Sequence, residues 1–229
     1  MNLYAILGIS FIPAVLFFVL SKILNPNLKF RHGILSCVLG IITIFPASFI
    51  QFFLFKLEVF SGTTFSSVMI TAIVFNGLIE ETIKMLFLCA VPQKKQTLSA
   101  FFCCAIIYGL SAGGFESVVY IIRKFQEITL VSGQEIITNL LIRRIFSAQA
   151  IHAFCAGLSG LYLWNFRHSK SKSITPFIFA VLLHGIYNFF AGFTSGFRWL
   201  SFVAIIFAAV ECRIFYLSAK SSKEQNEIS

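Results

Sequence analysis

Runs of apolar residues long enough to cross a lipid bilayer dominate this sequence. A helix that crosses the ~30 Å hydrocarbon core needs about 20 mostly apolar residues. Seven stretches come close to that length: 3–21, 34–55, 65–91, 98–122, 145–166, 175–192 and 198–217. Lipid offers no hydrogen bonds to the backbone, so each stretch must pair its own N–H and C=O groups. The sequence therefore predicts an all-α, polytopic bundle of about seven transmembrane helices.

The composition excludes an ordinary soluble domain. Hydrophobic residues make up 58% of the chain and charged residues only 12%, whereas globular proteins carry about 25% charged residues. We expect a single transmembrane domain at 1–217, followed by a polar, disordered cytoplasmic tail at 218–229. The first stretch lacks the basic start and the small-residue cleavage site of a signal peptide, so we expect it to be retained as a span.

Basic residues in the connections predict the orientation, because cytoplasmic loops carry an excess of Lys and Arg. With the N-terminus outside and the C-terminus inside, the inner connections hold eleven cations and the outer ones six. The outer cations are Lys56, Arg123, Lys124, Arg143, Arg144 and Arg198. The net charge of +9 then indicates contact with the lipid bilayer and its anionic head groups. We expect no nucleic-acid partner.

The connection at 123–144 runs against this bias and is the longest segment between spans. Its apolar residues alternate irregularly with polar ones and are interrupted by Ser132-Gly133. Two interpretations remain open. The segment is either an amphipathic helix or hairpin lying at the membrane interface, or an ordinary surface loop.

Charged residues interrupt the apolar stretch 65–91. Glu80, Glu81 and Lys84 stand where a spanning helix would carry Leu or Ile, together with Asn76 and Gly77 on the same predicted face. A charge at the centre of a spanning helix costs about 2.5–3.5 kcal/mol on insertion scales, which makes a functional role the leading interpretation. A structural ion pair between Glu80 and Lys84, four residues apart, is the alternative.

The next stretch, 98–122, carries a polar stripe at helical spacing. Gly109 and Gly113 would allow a neighbouring helix to approach closely, and Glu116 and Tyr120 continue the same stripe. Glu116 either neutralises Lys84 or takes part in the chemistry directly. Tyr120 lies near the end of the span, where it could equally be an interfacial aromatic residue.

Histidines follow in the next two spans. Gln149 and His152 lie in 145–166, and His184 and Asn188 are four residues apart in 175–192, so the last two share a face. Taken alone, His152 is typical of a hydrogen-bonded packing histidine. Four consecutive spans nevertheless bring ionisable or amide groups inward, and this convergence predicts a site inside the bundle.

Such groups fit hydrolysis of a peptide bond. A carboxylate that accepts a proton from water, with imidazole and amide groups to orient it and hold an oxyanion, is the minimum set. One Glu with two His could instead bind Zn²⁺ with an open water position, although the HExxH spacing of helical zinc proteases is absent. A proton-coupled transporter or channel is the alternative from another class, but no inverted repeat supports it.

The polar residues of these four spans form motifs that, in their order along the chain, resemble those of the PrsW intramembrane proteases. These are relatives of the CAAX-processing and bacteriocin-processing (CPBP) proteases. Glu80-Glu81-Thr-Ile-Lys84 matches EExxK, and Phe115-Glu116-Ser-Val-Val-Tyr120 matches FExxxY. The segment that starts at His152 matches the third histidine motif, and His184-Gly-Ile-Tyr-Asn188 matches HxxxD/N. The resemblance extends over about 46–192.

The resemblance implies a signalling protease in a bacterial plasma membrane that makes the first cut in a membrane-anchored protein, such as an anti-sigma factor. Glu80 would be the water-activating base, Glu81 its supporting carboxylate and His184 an essential partner. Asn188 would be an oxyanion donor or orienter. The remaining members of the site would be His152, Glu116, Lys84 and Tyr120.

The same resemblance leaves the metal open. The family has been grouped with metalloproteases, which would place Zn²⁺ on Glu80, His152 and His184, whereas the CAAX-processing relatives look like metal-independent glutamate proteases. We expect the metal-free mechanism and no other cofactor. The oligomeric state is open.

Two positions depart from the PrsW pattern. Asn188 stands where the motif usually has Asp, and Cys104 stands four residues before Tyr108-Gly109, where an acidic residue is usual. The loss of two carboxylates weakens the metal interpretation and the assignment to the subgroup that cleaves anti-sigma factors. The absence of Asp at position 188 also keeps a third hypothesis open, a non-catalytic membrane regulator of the same family.

Overall fold

The computed structural model describes residues 3–54, 56–57, 60, 62–94, 96–127, 133–168, 172–194 and 196–228. These ranges contain helices and no strand, which confirms the predicted all-α bundle. The helices are α1 (Leu3–Leu24), α2 (Phe30–Leu54), α3 (Phe65–Ala72), α4 (Glu80–Leu88), α5 (Leu98–Glu127), α6 (Gly133–Phe146), α7 (Ala148–His168), α8 (Thr175–Ala191) and α9 (Leu200–Ile228). A π-helical turn, Ile73–Ile79, joins α3 to α4, and a 3₁₀ turn, Gly196–Trp199, precedes α9.

Each of the seven expected spans overlaps helical structure. Among the described residues, four helices are long and apolar enough to cross a membrane: Tyr4–Leu24, Phe30–Leu54, Leu98–Gln126 and Gly196–Ser221. Helix α8 is apolar but shorter. The segment from α3 to α4 and helix α7 carry the polar groups that the sequence singled out. The number of spans and their orientation therefore remain predictions.

Helices α5 and α7 form the centre of the bundle. Helix α5 packs against α1, α2 and α7, and α8 packs against α7, α9 and the π-helical turn. Phe101 and Tyr108 of α5 and Leu161 and Trp164 of α7 belong to the same buried core. This arrangement encloses the polar faces of α4, α5, α7 and α8 within apolar packing.

Glycines allow α5 and α7 to touch along their backbones. A Cβ atom at Gly109 would overlap the backbone carbonyl of His152 and lie 2.7 Å from Cα of Ala153. One turn further on, a Cβ atom at Gly113 would lie 2.9 Å from Cα of Gln149. The glycine stripe of α5 thus faces α7, and this close approach brings Glu116 beside His152.

The connection between α5 and α7 is helical in its described part. Helix α5 continues beyond its expected end to Glu127, and α6 occupies Gly133–Phe146; residues 128–132 lie outside the described ranges. Ile137 and Leu141 of α6 are buried against Ile6 and Ile121, while Ile136 and Ile142 are exposed. The described part is therefore a helix, as the first interpretation expects, and it packs on the bundle; its position at the membrane interface stays a prediction.

The tail differs from its predicted disorder, because α9 continues through Ile228. The polar segment follows the apolar part of α9 without a Gly or Pro. Its Ala, Lys, Glu and Gln residues are strong helix formers. The helix therefore has no local signal to end at 218.

The contact between α5 and α7 can be tested with a single methyl group. Gly109→Ala should lower stability by about 1–3 kcal/mol, because overpacking against a backbone leaves neither helix room to adjust. Thermal unfolding in detergent micelles would measure the change.

Gly8→Ala is the matched control, since a Cβ atom at Gly8 would meet no heavy atom within 4 Å. This variant should leave the midpoint of thermal unfolding unchanged or raise it slightly, because Ala has a higher helix propensity than Gly. Equal midpoints for the two variants would show that the backbone contact at Gly109 does not restrict side-chain size.

Candidate active site

The π-helical turn places the two carboxylates of the site. Gly77 and Gly185 let the turn and α8 approach closely: a Cβ atom at Gly77 would overlap the carbonyl oxygen of Val181, and one at Gly185 would lie 2.6 Å from Cα of Ile73. Helix α4 begins directly after the turn with Glu80. Single π-helical turns of this kind occur often at functional sites. The sequence-based prediction placed Asn76 and Glu81 on one face by assuming α-helical spacing. A π-helical turn has more residues per turn than an α-helix, so this spacing does not hold across the turn.

Glu81 is the most enclosed charged group of the site, with no exposed surface. One of its oxygens, Oε1, lies 2.8 Å from Nζ of Lys84 and 2.6 Å from Nδ1 of His184. An ionised carboxylate only accepts, so both nitrogens donate to it. In the described part of the chain, Oε2 of Glu81 is buried without a hydrogen-bond partner. Glu81 therefore fixes the positions of Lys84 and His184.

Lys84 extends the network to α7. Its Nζ lies 2.6 Å from Nδ1 of His152. An ammonium group can only donate, so Nδ1 accepts and the proton of a neutral His152 ring lies on Nε2. That nitrogen contacts Oε2 of Glu116. The ring of His152 also packs edge-on against His184, with centroids 4.7 Å apart.

Glu116 and Tyr120 of α5 meet Arg144 at the end of α6. The guanidinium Nη2 of Arg144 lies 3.3 Å from Oε1 of Glu116, and its Nε donates to Oγ of Ser117 at 3.2 Å. The guanidinium also lies 4.0 Å above the ring of Tyr120, a cation–π contact. The charge on Glu116 is thus shared between Arg144 and His152, and Lys84 pairs with the carboxylates of its own helix.

Glu80 has a different environment from Glu81. Its Oε1 accepts a hydrogen bond from Nε2 of Gln51 at 2.9 Å, and the same Gln51 amide donates to the carbonyl of Phe75 at 3.1 Å. Its Oε2 lies 3.9 Å from Nε2 of His184 and 3.9 Å from Nζ of Lys84, which is beyond hydrogen-bond distance. The predicted ion pair between Glu80 and Lys84 is therefore longer than the pair between Glu81 and Lys84.

Asn188 stands at the edge of this group. Its Nδ2 donates to the carbonyl of His184 at 3.2 Å, one turn earlier in α8. The side chain also lines a cavity that reaches His152 and Glu116. A carboxamide has two N–H donors, and this contact uses one of them.

The structure brings the predicted residues into one connected cluster, with Glu80, Glu81, Lys84, His152 and His184 buried at its centre. Glu116 and Tyr120 lie on the side of Arg144, and Asn188 lies at the cavity wall. The clustering does not by itself assign a role to any residue, and the catalytic roles given above remain predictions.

Sequence reasoning missed Gln51 and Arg144. Gln51 is an amide inside the apolar stretch 34–55, and this was a usable signal, because polar groups within spans usually face the bundle. Arg144 was counted only as a cation of the outer connections. Its sequence signal was its place in a connection predicted to lie outside, where the positive-inside rule disfavours cations.

Comparison with protein families explains why these residues occur together. The model of the PrsW family, described as intramembrane metalloproteases, matches residues 29–212. The chain belongs to the PrsW family. The match covers well over half of the sequence and includes every residue of the cluster, so the resemblance drawn from the motifs is confirmed. The protein is a membrane-embedded protease of this family.

No significant match was found among curated proteins or among solved structures.

The PrsW description implies a metal ion, and the donors present fit one. Glu80, His152 and His184 each offer a ligand atom, and these atoms lie within 4.8 Å of one another. Carboxylate oxygen and imidazole nitrogen are usual zinc ligands. The contact between Nδ1 of His184 and Glu81 resembles the carboxylate contacts that orient zinc-binding histidines. For His152 to bind through Nε2, it would have to exchange Glu116 for the ion.

Removing the carboxylate between Lys84 and His184 should destabilise the protein. Glu81→Gln leaves a buried ammonium with little compensation, and we expect a loss of about 3 kcal/mol. Lys84→Met should cost a similar amount, because it leaves the buried carboxylate of Glu81 without its ammonium partner. In the double variant the loss should be smaller than the sum, because neither charge is left alone.

Unfolding in mixed micelles by added SDS would give the three free energies. Strictly additive losses would mean that Glu81 and Lys84 stabilise the protein independently of each other.

Proposed function

We propose that this protein is an intramembrane endopeptidase in which Glu80 activates the water that attacks a peptide bond. The observation that carries the proposal is the distance of 3.9 Å between Oε2 of Glu80 and Nε2 of His184. A gap of this size between two polar atoms is one that a single water molecule can bridge. The proposal extends to a multi-pass protein of a bacterial plasma membrane.

The hydrogen bond between His184 and Glu81 supports this role. An ionised Glu81 can only accept, so Nδ1 of His184 donates to it. In the neutral form of the ring, Nε2 then carries a lone pair and accepts. A water between the two atoms would donate one hydrogen to His184 and the other to Oε2 of Glu80. Its oxygen lone pairs would then be directed away from both groups, toward a substrate.

The reaction would follow from this orientation. The water oxygen forms a bond to the carbonyl carbon as Glu80 takes a proton, which is general-base catalysis. The negative charge develops on the carbonyl oxygen, and the second N–H of Asn188 is a candidate donor to it. When the C–N bond breaks, the proton passes from Glu80 to the leaving amine.

Lys84 and Gln51 would keep Glu80 ready for this step. Gln51 holds Oε1, which leaves Oε2 as the atom directed at His184. The ammonium of Lys84 lies 3.9 Å from the same oxygen and offsets part of the cost of burying a charged carboxylate.

A bound Zn²⁺ would be held by Glu80, His152 and His184, and it would act as a Lewis acid that polarises the scissile carbonyl. We favour the metal-free mechanism because both ring nitrogens of His152 already have partners, Lys84 and Glu116. The Lys84 ammonium beside the same donors would also repel a cation.

The substrate we propose is a membrane-anchored protein, since the site is buried inside a bundle of apolar helices and a cavity among the described residues reaches it. An anti-sigma factor is the example that the motif resemblance suggests.

The proposal predicts that Glu80→Ala and His184→Ala each lower the cleavage rate by about 10²- to 10⁴-fold, the usual contribution of a general base. The measurement is cleavage of membrane-anchored candidate substrates by purified protein in liposomes. Glu211→Ala is the matched control, because this carboxylate of α9 lies outside the cluster; it should cleave at the wild-type rate.

A strong chelator separates the two mechanisms. Cleavage that persists in chelator supports the glutamate mechanism. Cleavage lost in chelator and restored by Zn²⁺ would show that the metal interpretation is the right one. A folded wild type that cleaves nothing from a broad panel would instead support the non-catalytic regulator.

A further inference from the structure

A cavity leads from the surface of the bundle to the site. It has a volume of about 1060 Å³ and lies between α5, α6, α7, the end of α8 and the start of α9. His152, Glu116 and Asn188 line its inner end. Cavities of this size accommodate ligands much larger than water. The open path to the site suggests that part of the substrate enters here.

The wall of this cavity is rich in cations. Lys124, Arg143, Arg144 and Arg198 all line it. The carboxylate among its described lining residues is Glu116, which already contacts Arg144 and His152. The cavity therefore carries an excess of positive charge in a concave, partly apolar surface, where charges act more strongly than on an open surface.

The origin of these cations makes their grouping informative. On the predicted orientation, they are four of the six cations in the outer connections, the side where the positive-inside rule disfavours them. A favourable interaction with the helix dipole accounts for Lys124 in the last turn of α5 and for Arg143 and Arg144 in the last turn of α6. It does not account for Arg198 of the 3₁₀ turn, nor for the convergence of cations from three different elements on one cavity.

We propose that this cavity binds an acidic segment of the substrate next to the bond that is cut. The inference rests on the proposed protease function and names the class of substrate. Arginine pairs with carboxylates through two parallel hydrogen bonds. The amide side chains of Asn76, Asn139 and Asn188 share the wall with the cations, and such groups pair with peptide N–H and C=O groups. This combination favours a peptide over a lipid head group.

The test uses model substrates with one transmembrane segment and a juxtamembrane segment that is rich in Glu, Gln or Lys. Binding is measured by energy transfer to labelled Glu80→Gln protein in phosphatidylcholine liposomes, and cleavage is measured with the wild type. The Glu-rich substrate should bind and be cleaved about tenfold better than the Gln-rich one, and added salt should reduce this preference.

Charge reversal in the cavity supplies the decisive comparison. Arg143 and Arg198 are exposed residues of the lining, and Arg143→Glu/Arg198→Glu should make the Lys-rich substrate the preferred one. Lys56→Glu/Arg123→Glu is the matched control, because it makes the same change in net charge at two exposed cations of the same predicted side. This control should keep the preference for Glu.

The outcomes separate the two proposals. Equal binding of the Glu-rich and Gln-rich substrates by the protein would overturn the acidic-segment inference, even if cleavage shows that the protease function is correct. Preferential binding without any cleavage would support the inference and count against the protease. The same measurements are repeated in liposomes that also contain phosphatidylglycerol. If charge reversal altered only the effect of this anionic lipid and left the substrate ratio unchanged, the cavity would be a lipid site and the inference would be wrong.

Discussion

The carboxylate of Glu81 holds the centre of this bundle together. It has no contact with solvent, and one of its oxygens is shared by a lysine of its own helix and a histidine 103 residues away. Burial of an unpaired carboxylate or ammonium would cost several kcal/mol, so each member is tolerated inside the membrane protein because of the others. The position of His184, and through it the gap in front of Glu80, depends on this contact. Glu81 thus holds the other side chains in position, and the more accessible Glu80 is the carboxylate that we propose as the base.

Much of this architecture could be predicted from the sequence. The apolar stretches gave the helices, because a chain in lipid has few alternatives to helix. Polar residues within those stretches indicated the site, because burying them without a function is costly. The stripe of Gly109 and Gly113 indicated a close helix contact, and the structure places that contact against α7. The order of motifs also led to the correct family.

The sequence did not predict which side-chain atoms of the site contact each other. Spacing within one helix suggested that Lys84 pairs with Glu80, but the three-dimensional position of His152 draws the ammonium toward Glu81. Arg144 lies 28 positions after Glu116, beyond a connection whose path no periodicity describes. Gln51 reaches Glu80 from α2 because of the way two helices cross. Such contacts depend on tertiary packing, on which local patterns carry little information.

The π-helical turn before Glu80 has a consequence for how this chain can vary. Both faces of the turn are fixed, by α8 on one side and by the contacts of Glu80 and Glu81 on the other. Loss of one residue from Ile73–Ile79 would restore α-helical winding and rotate everything before it by about 100° around the axis. Asn76 would leave the cavity wall and α3 would present a different side to α8. Homologous chains should therefore keep the length of this segment, so that gaps in a family alignment fall elsewhere.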